Sequence, residues 1–304
     1  MRELVRAQET ARNQYGHLTR DQAIRVGVGE RQLEHWIETA VLLTAQPTTY
    51  RFAAVPPSPQ GDVMAAVLSA GPDALASHRS GAVLRRLPIR AIERPEITVL
   101  GASRHRLENV LIHRTDRLDL EDRDAFENIP TSSIFRLLLD LGWLMSYDDA
   151  ECIYEDAIFR GYTSQEALEE VVRRLGKRGR RGTANLRRYL KYRDPAARPA
   201  ESVLEVKGGQ LIRQHGLPPG VTQHWVKAKG IWVRIDRAYV PEKVGIEWNG
   251  FRFHRDHAAL ERHDEKISSL TAAGWNMLEF TWMHVTQRPA WVAGCIRDAL
   301  RKAA

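Results

Sequence analysis

Cysteine is nearly absent. Cys152 and Cys295 are the only two in 304 residues, and they lie in different segments. That excludes a disulfide-stapled scaffold and any cysteine-based zinc site, and leaves two thiols that read as small buried apolar residues. Long apolar runs are missing too. No stretch approaches the roughly 18 residues of a membrane-spanning helix, and the N-terminus lacks the apolar core of a secretion signal. A cytoplasmic protein with no membrane partner is expected. A phosphate-binding loop is also excluded, because Gly176, Gly179 and Gly182 are followed by no Gly-Lys-Ser/Thr ending and preceded by no strand.

Acid is missing from one region. Residues 173–193 hold ten Lys or Arg and no Asp or Glu, while acids gather at 116–127 and 148–156. In a chain of net charge +7, such a run can hold phosphate backbone by counterion release without reading base sequence. The expected contacts are Lys177, Arg178, Arg180, Arg181, Arg187, Arg188 and Lys191, with Tyr189 and Tyr192 able to stack on unpaired bases. A solvated linker helix is the competing reading.

The chain is long for one core and comfortable for two or three. Residues 1–55 read as three short helices and a hairpin. Thr19 and Gln22 have the spacing of a capping box, Gly27 and Gly29 mark a turn, and residues 30–39 place Leu33, Trp36 and Ile37 on one helical face. Residues 41–52 form the hairpin. Further on, Ser132 or Ser133 caps a strongly apolar helix over 134–145, with Leu137, Leu138 and Leu141 as core. His78 and His113 have no partner at helical metal-ligand spacing, which points to polar scaffold roles.

The densest chemistry lies near the C-terminus. Ile231, Val233 and Ile235 alternate up to Asp236, and after a tight connection Val244, Ile246 and Trp248 alternate around Glu247. A period of two puts Glu247 and Asn249 on one face. Two carboxylates so placed can share one divalent cation of the Mg²⁺ or Mn²⁺ kind, which takes oxygen ligands, keeps waters and stabilises charge on a phosphate. A helix opening at Pro199 carries Glu201 and Glu205 one turn apart. Gly274 stops the helix over 256–273, residues 275–281 read as a buried strand, and Pro289 starts a last amphipathic helix.

This order of elements, with Asp236, Glu247 and the Gly250-x-x-x-His254 tail, resembles the PD-(D/E)xK nuclease core, and most of all its very-short-patch-repair type. The resemblance covers about the last third of the chain. It implies Mg²⁺ or Mn²⁺ held by Asp236 and Glu247, completed by Glu205, with His254 assisting the attacking water or leaving group. Asn249 stands where the superfamily has lysine, so another cation must serve, and Arg252, His254 and Lys266 are near in sequence. Arg262-His263-Asp264 also departs from the Arg-Asp pair of relatives.

Residues 1–55 resemble the winged-helix head of AbiEi-type antitoxins. The phrases Ser77-His78-Arg79-Ser80, residues 96–100, residues 110–114 and Ile129-Pro-Thr-Ser-Ser133 resemble the rest of that family. The likeness implies that Arg31, Gln32 and His35 face the major groove, with Arg20 near the backbone. The hairpin is neutral and Glu30, Glu34 and Glu38 sit on the third helix, so a protein-docking head stays open.

The expected architecture is mixed α/β of the α+β multidomain kind: a winged helix over 1–55, an α/β middle domain over 56–195 ending in the basic segment, and a restriction-endonuclease-like αβββαβ core over 196–304. The leading expectation is a metal-dependent DNA endonuclease with a DNA-binding head. Its catalytic residues would be Asp236, Glu247, Asn249, His254 and Glu205, and Arg252 would add a DNA contact. The competing class is a non-catalytic DNA-binding regulator or antitoxin, with a cognate toxin or a second copy of the chain as further partners.

Overall fold

A computed structural model describes residues 2–101, 107–175, 182–194, 197–249 and 257–303. It shows a mixed α and β chain with three separate sheets. Chain contacts divide it into two units, one of Met1–Met145 with Glu166–Arg187 and one of Ser146–Gln165 with Arg188–Ala304. No helix among the described residues is long and apolar enough to cross a membrane.

The first unit begins with the helices Arg2–Arg12, Arg20–Arg25 and Glu30–Glu38. Thr19 caps the second through the expected reciprocal box: the Gln22 N–H donates to Thr19 Oγ1 at 3.1 Å, and the Thr19 N–H donates to Gln22 Oε1 at 2.9 Å. Strands Leu42–Gln46 and Thr49–Phe52 form the expected hairpin, joined by a third short strand, His17–Thr19, on the far side of Thr49–Phe52. Leu33 and Trp36 pack with Leu18, Ala23, Leu42 and Phe52 in one core. Helical and two-residue periods thus converge on the same apolar interior.

The same unit holds a five-stranded sheet in the order Leu111–Thr115, Glu96–Leu100, Leu75–Ala76, Ile129–Ser132, Arg123–Phe126. The strand Glu96–Leu100 runs parallel to Leu111–Thr115, with Thr98 opposite His113. Helix Pro59–Ala70 covers this sheet, contributing Val63, Met64 and Val67 to a core with Ile97, Val99 and Ile129. Ser133, not Ser132, caps the helix Ile134–Leu144, and Leu137, Leu138 and Leu141 are fully buried.

The second unit is built on a four-stranded sheet. Val221–Ala228, Ile231–Tyr239 and Val244–Asn249 pair antiparallel in sequence, and Asn276–Thr281 adds parallel to Val244–Asn249. All six residues of Val244–Asn249 are buried, as expected of a strand covered on both faces. Val244, Ile246 and Trp248 pack with Leu204, Ile212, Phe280, Val292 and Ile296. Val233, Ile235 and Ala238 pack instead with Leu270 and Trp275. The helices Val203–Gln214 and Pro289–Ala303 therefore cover one side of the sheet, and His257–Ala272 the other. A Cβ at Gly208 would lie 2.5 Å from the Trp248 indole, so glycine allows that helix to sit down on the sheet.

The expected start of this helix at Pro199 is corrected. The helix opens at Val203, because the Ser202 hydroxyl accepts the Glu205 N–H at 3.2 Å and so makes Ser202 the cap. Glu201 lies ahead of the helix and forms a two-pronged ion pair with Arg234, at 2.5 and 2.6 Å.

Candidate active site

Asp236 lies inside its strand, which continues to Tyr239, rather than at the end of it. Regular pairing with Val244–Asn249 covers Arg237 to Tyr239 and stops there. Pairing with Val221–Ala228 skips Asp236 as well, and Gln223, across from it, takes a left-handed backbone conformation at φ 49°. Side chains replace the missing ladder. The Trp248 N–H donates to Asp236 Oδ2 at 2.9 Å, and the Asp236 N–H donates to Glu247 Oε1 at 3.2 Å. The two acids predicted to work together thus meet where the strands part.

Lys266, from helix His257–Ala272, donates to Glu247 Oε2 at 2.6 Å. Burial pushes the Glu247 carboxyl up to about 7, the Asp236 charge adds to the rise, and Lys266 opposes it. Glu205 lies in a cleft of about 680 Å³ with Asp236, Arg237, Arg213, Trp225 and Trp248. Burial and the Asp236 charge raise its pKa, while Gln223 Nε2 (3.3 Å) and Ser202 Oγ (3.2 Å) donate to it and work the other way. Among the three expected metal-binding acids, Asp236 is the shared neighbour. Together they do not form a group of three ligand atoms mutually within 4.8 Å.

Asn249 Nδ2 donates to Glu279 Oε2 at 2.6 Å, and His263 Nε2 lies 3.1 Å from the same oxygen. Glu279 stands beside Glu247 in the parallel register. Neither Glu279 nor the placement of His263 was foreseen. The available signal was an acid inside an apolar strand. His254 and Arg252 lie outside the described residues.

Of the expected DNA contacts, Arg31 and His35 are exposed on helix Glu30–Glu38, where Glu34 and Glu38 are exposed too, and Gln32 is half-buried. Arg20 pairs with Glu30 at 3.0 Å. Arg187, Arg188 and Lys191 are exposed on helix Thr183–Tyr192, with the Arg188 guanidinium 3.9 Å from the Tyr147 ring centre. Lys177, Arg178, Arg180 and Arg181 lie outside the described residues. The stacking role expected of Tyr189 is corrected: its side chain is buried and its hydroxyl donates to Glu155 Oε1 at 2.8 Å. Leu186 and Tyr189, three apart, form the inner face of a helix whose charges mask its amphipathic pattern. Tyr192 remains exposed.

His78 and His113, which have no metal-ligand partner at helical spacing, meet Glu96 across strands. Each offers a ring nitrogen, and Glu96 a carboxylate oxygen, all within 4.8 Å of one another. Glu96 Oε2 lies 3.0 Å from His113 Nε2, and Arg79 donates to Glu96 Oε1 at 2.9 Å. Burial, then the nearby His113, drives the His78 pKa down to about 3. Sequence spacing could not reveal this cluster, because Glu96 and His113 are 17 residues apart and meet only through the pairing of their strands.

No family model matches the chain, and no curated protein matches it. Among solved structures, the crystal structure of RV2827C protein from Mycobacterium tuberculosis is similar, with a TM-score of 0.39 and 18% identity over 64% of this chain and 78% of that one.

Proposed function

We propose that this chain is a DNA-binding protein whose C-terminal end is a metal-dependent endonuclease of the PD-(D/E)xK, very-short-patch-like type. One observation carries the reading: Lys266 Nζ sits 2.6 Å from Glu247, beside Asp236. The lysine absent from position 249 is supplied by the neighbouring helix. In this reading the Lys266 charge, delivered to the same corner of the site, stabilises negative charge developing on the scissile phosphate.

The donor set fits a hard cation, since Asp236, Glu247 and Glu205 offer only carboxylate oxygens. Asp236 and Glu247 would hold Mg²⁺ or Mn²⁺, with Glu205 completing the site from the cleft. Such an ion, when bound, supplies an acidified water and Lewis-acid stabilisation of the phosphate. Asn249 is fixed by Glu279, which suits it to orienting a neighbouring group rather than to proton transfer. The head over 1–55 is read as an AbiEi-like winged helix, with Arg31 and His35 on its exposed helical face and Arg187, Arg188 and Lys191 adding phosphate contacts. Supercoiled plasmid incubated with Mg²⁺ or Mn²⁺ tests the reading: wild type should cut and Lys266→Met should cut at least about 100-fold more slowly.

A second reading has its own support. Both central acids are satisfied within the protein, Asp236 by a backbone N–H and Glu247 by a backbone N–H and Lys266. Carboxylates engaged in this way suit a clamp that no longer cuts, in a regulator or antitoxin that works with a toxin partner or as a dimer. That protein would leave a metal-independent footprint on DNA and would cut nothing.

A further inference from the structure

We propose that His78, Glu96 and His113 form a binding site for a divalent transition-metal ion of the Zn²⁺ class, independent of the nuclease reading. The three come from separate elements: the first turn of helix His78–Leu84, the start of strand Glu96–Leu100 and the middle of Leu111–Thr115. Their ligand atoms lie within 4.8 Å of one another, and they are the one such group of His, Cys, Asp or Glu among the described residues. Two imidazoles with one carboxylate suit Zn²⁺, Co²⁺ or Ni²⁺ and not Mg²⁺, which prefers oxygen. Three protein ligands leave a fourth position for water or another ligand.

Supporting groups surround the trio as they surround metal ligands elsewhere. Ser77 Oγ lies 2.9 Å from His78 Nδ1, which leaves Nε2 as the nitrogen to bind, and Thr98 Oγ1 donates to Ser77 Oγ at 2.8 Å. Arg79 holds Glu96 Oε1, so Oε2 is the oxygen to bind. The Ser80 hydroxyl accepts the Glu96 N–H at 2.8 Å and fixes the strand where it enters the site. His78 itself is held at φ 49°, a left-handed conformation uncommon outside glycine.

The rings of His78 and His113 stack with centres 3.5 Å apart and planes 12° from parallel. A metal lies in the plane of each imidazole it binds, so loading requires a ring to turn. His113 is the one to move, because its side chain is 24% exposed whereas His78 is buried. Its bond to Glu96 Oε2 is then replaced by a shared metal.

The test is a titration of the chelator-treated full chain with Co²⁺ in millimolar Mg²⁺, which occupies oxygen sites without displacing imidazole-bound metal. One equivalent should bind, with a visible absorption band that Zn²⁺ removes. His113→Ala, His113→Gln and Glu96→Gln should each weaken binding about tenfold or more, with circular dichroism reporting that they fold. Asp236→Ala, and His215→Ala at the residue that follows helix Val203–Gln214, should leave stoichiometry and affinity unchanged. Absence of a saturable band, or equal affinity in folded His113→Ala and His113→Gln, overturns the proposal. Loss of plasmid cutting with Co²⁺ binding intact counts against the nuclease reading alone.

Discussion

The two titratable clusters of this protein solve burial in opposite ways. At Asp236 and Glu247 the acids sit where a sheet ladder parts, satisfied by backbone N–H groups and by one lysine. At His78, Glu96 and His113 the carboxylate is enclosed by Arg79 and an imidazole, and the second imidazole is kept neutral by burial. The first site offers oxygen, and there burial, with the Asp236 charge adding to it, raises the carboxyl pKa of Glu247. The second offers nitrogen and lowers the pKa of both His78 and Glu96, the latter because its bonds to His113 and Arg79 outweigh the effect of burial. Burial disfavours the charged form in both clusters, and the signs differ because Glu247 is an acid and His78 a base.

The largest expected effect falls on the oxygen site. Lys266→Met should slow metal-dependent DNA cleavage by at least about 100-fold while leaving DNA binding in place, as gel shift beside a cleavage time course would show. Undiminished cutting would mean that some other cation fills the lysine's role.

Next in size is a packing effect that belongs to the second unit alone. Gly208→Ala drives a methyl into the Trp248 ring and should destabilise that unit by about 1–3 kcal/mol, measured by urea unfolding followed through tryptophan fluorescence. An unchanged midpoint would show that the helix is free to lift from the sheet. In the first unit, Arg79→Ala leaves the buried Glu96 carboxylate with one partner fewer and should cost about 1–3 kcal/mol. Arg79 is itself partly exposed, so the lower end is expected.

The finest contrast is in pH dependence. His78 has a folded pKa of about 3, below its ordinary value of 6.5, so the unfolded chain binds the extra proton between those limits. Its contribution to stability is present above about pH 6.5 and is lost as pH falls. Glu247 has a folded pKa of about 7, above its ordinary 4.5, so here the folded chain binds the extra proton. Its contribution is present at low pH and is lost as pH rises through 7. Between pH 4.5 and 6.5 the two slopes oppose each other, each at most about 1.4 kcal/mol per pH unit. Hydrogen exchange at residues 96–100 and 244–249 reads them separately. His78→Asn, which tolerates the left-handed backbone, should flatten the first and Glu247→Gln the second, and equal slopes before and after substitution would contradict the assignment.

Much of the local structure was legible in the residues. The Thr19–Gln22 box, the Leu33–Trp36 face and the apolar helix after Ser133 follow from spacing and caps, as do the elements from residue 203 onward except the short helix Trp282–Gln287. The start of the helix at Val203 was legible too, but Pro199 competed: a Ser-x-x-Glu phrase at 202–205 is the stronger cap, and it won. The charge of residues 173–193 hid the inward face of Tyr189. What lay beyond reach were the meetings of distant residues. Lys266 was one of three candidate cations by nearness in sequence, but its contact with Glu247, across 19 residues, exists only once a helix lies over the sheet. His113 reaches Glu96 only through a parallel strand pair whose register no local pattern sets. Asp236 and Glu247 were found because hairpin neighbours are close in sequence as well as in space.

The most direct test of the account is cleavage of supercoiled plasmid and of single-stranded, duplex and mismatched oligonucleotides by the full chain with Mg²⁺ or Mn²⁺, beside Asp236→Ala and Glu247→Ala. Metal-dependent cutting that is lost in both variants while DNA binding survives is the expected result. Folded wild-type protein that shifts DNA but cuts none of these substrates, or cutting that persists in Asp236→Ala, would contradict it.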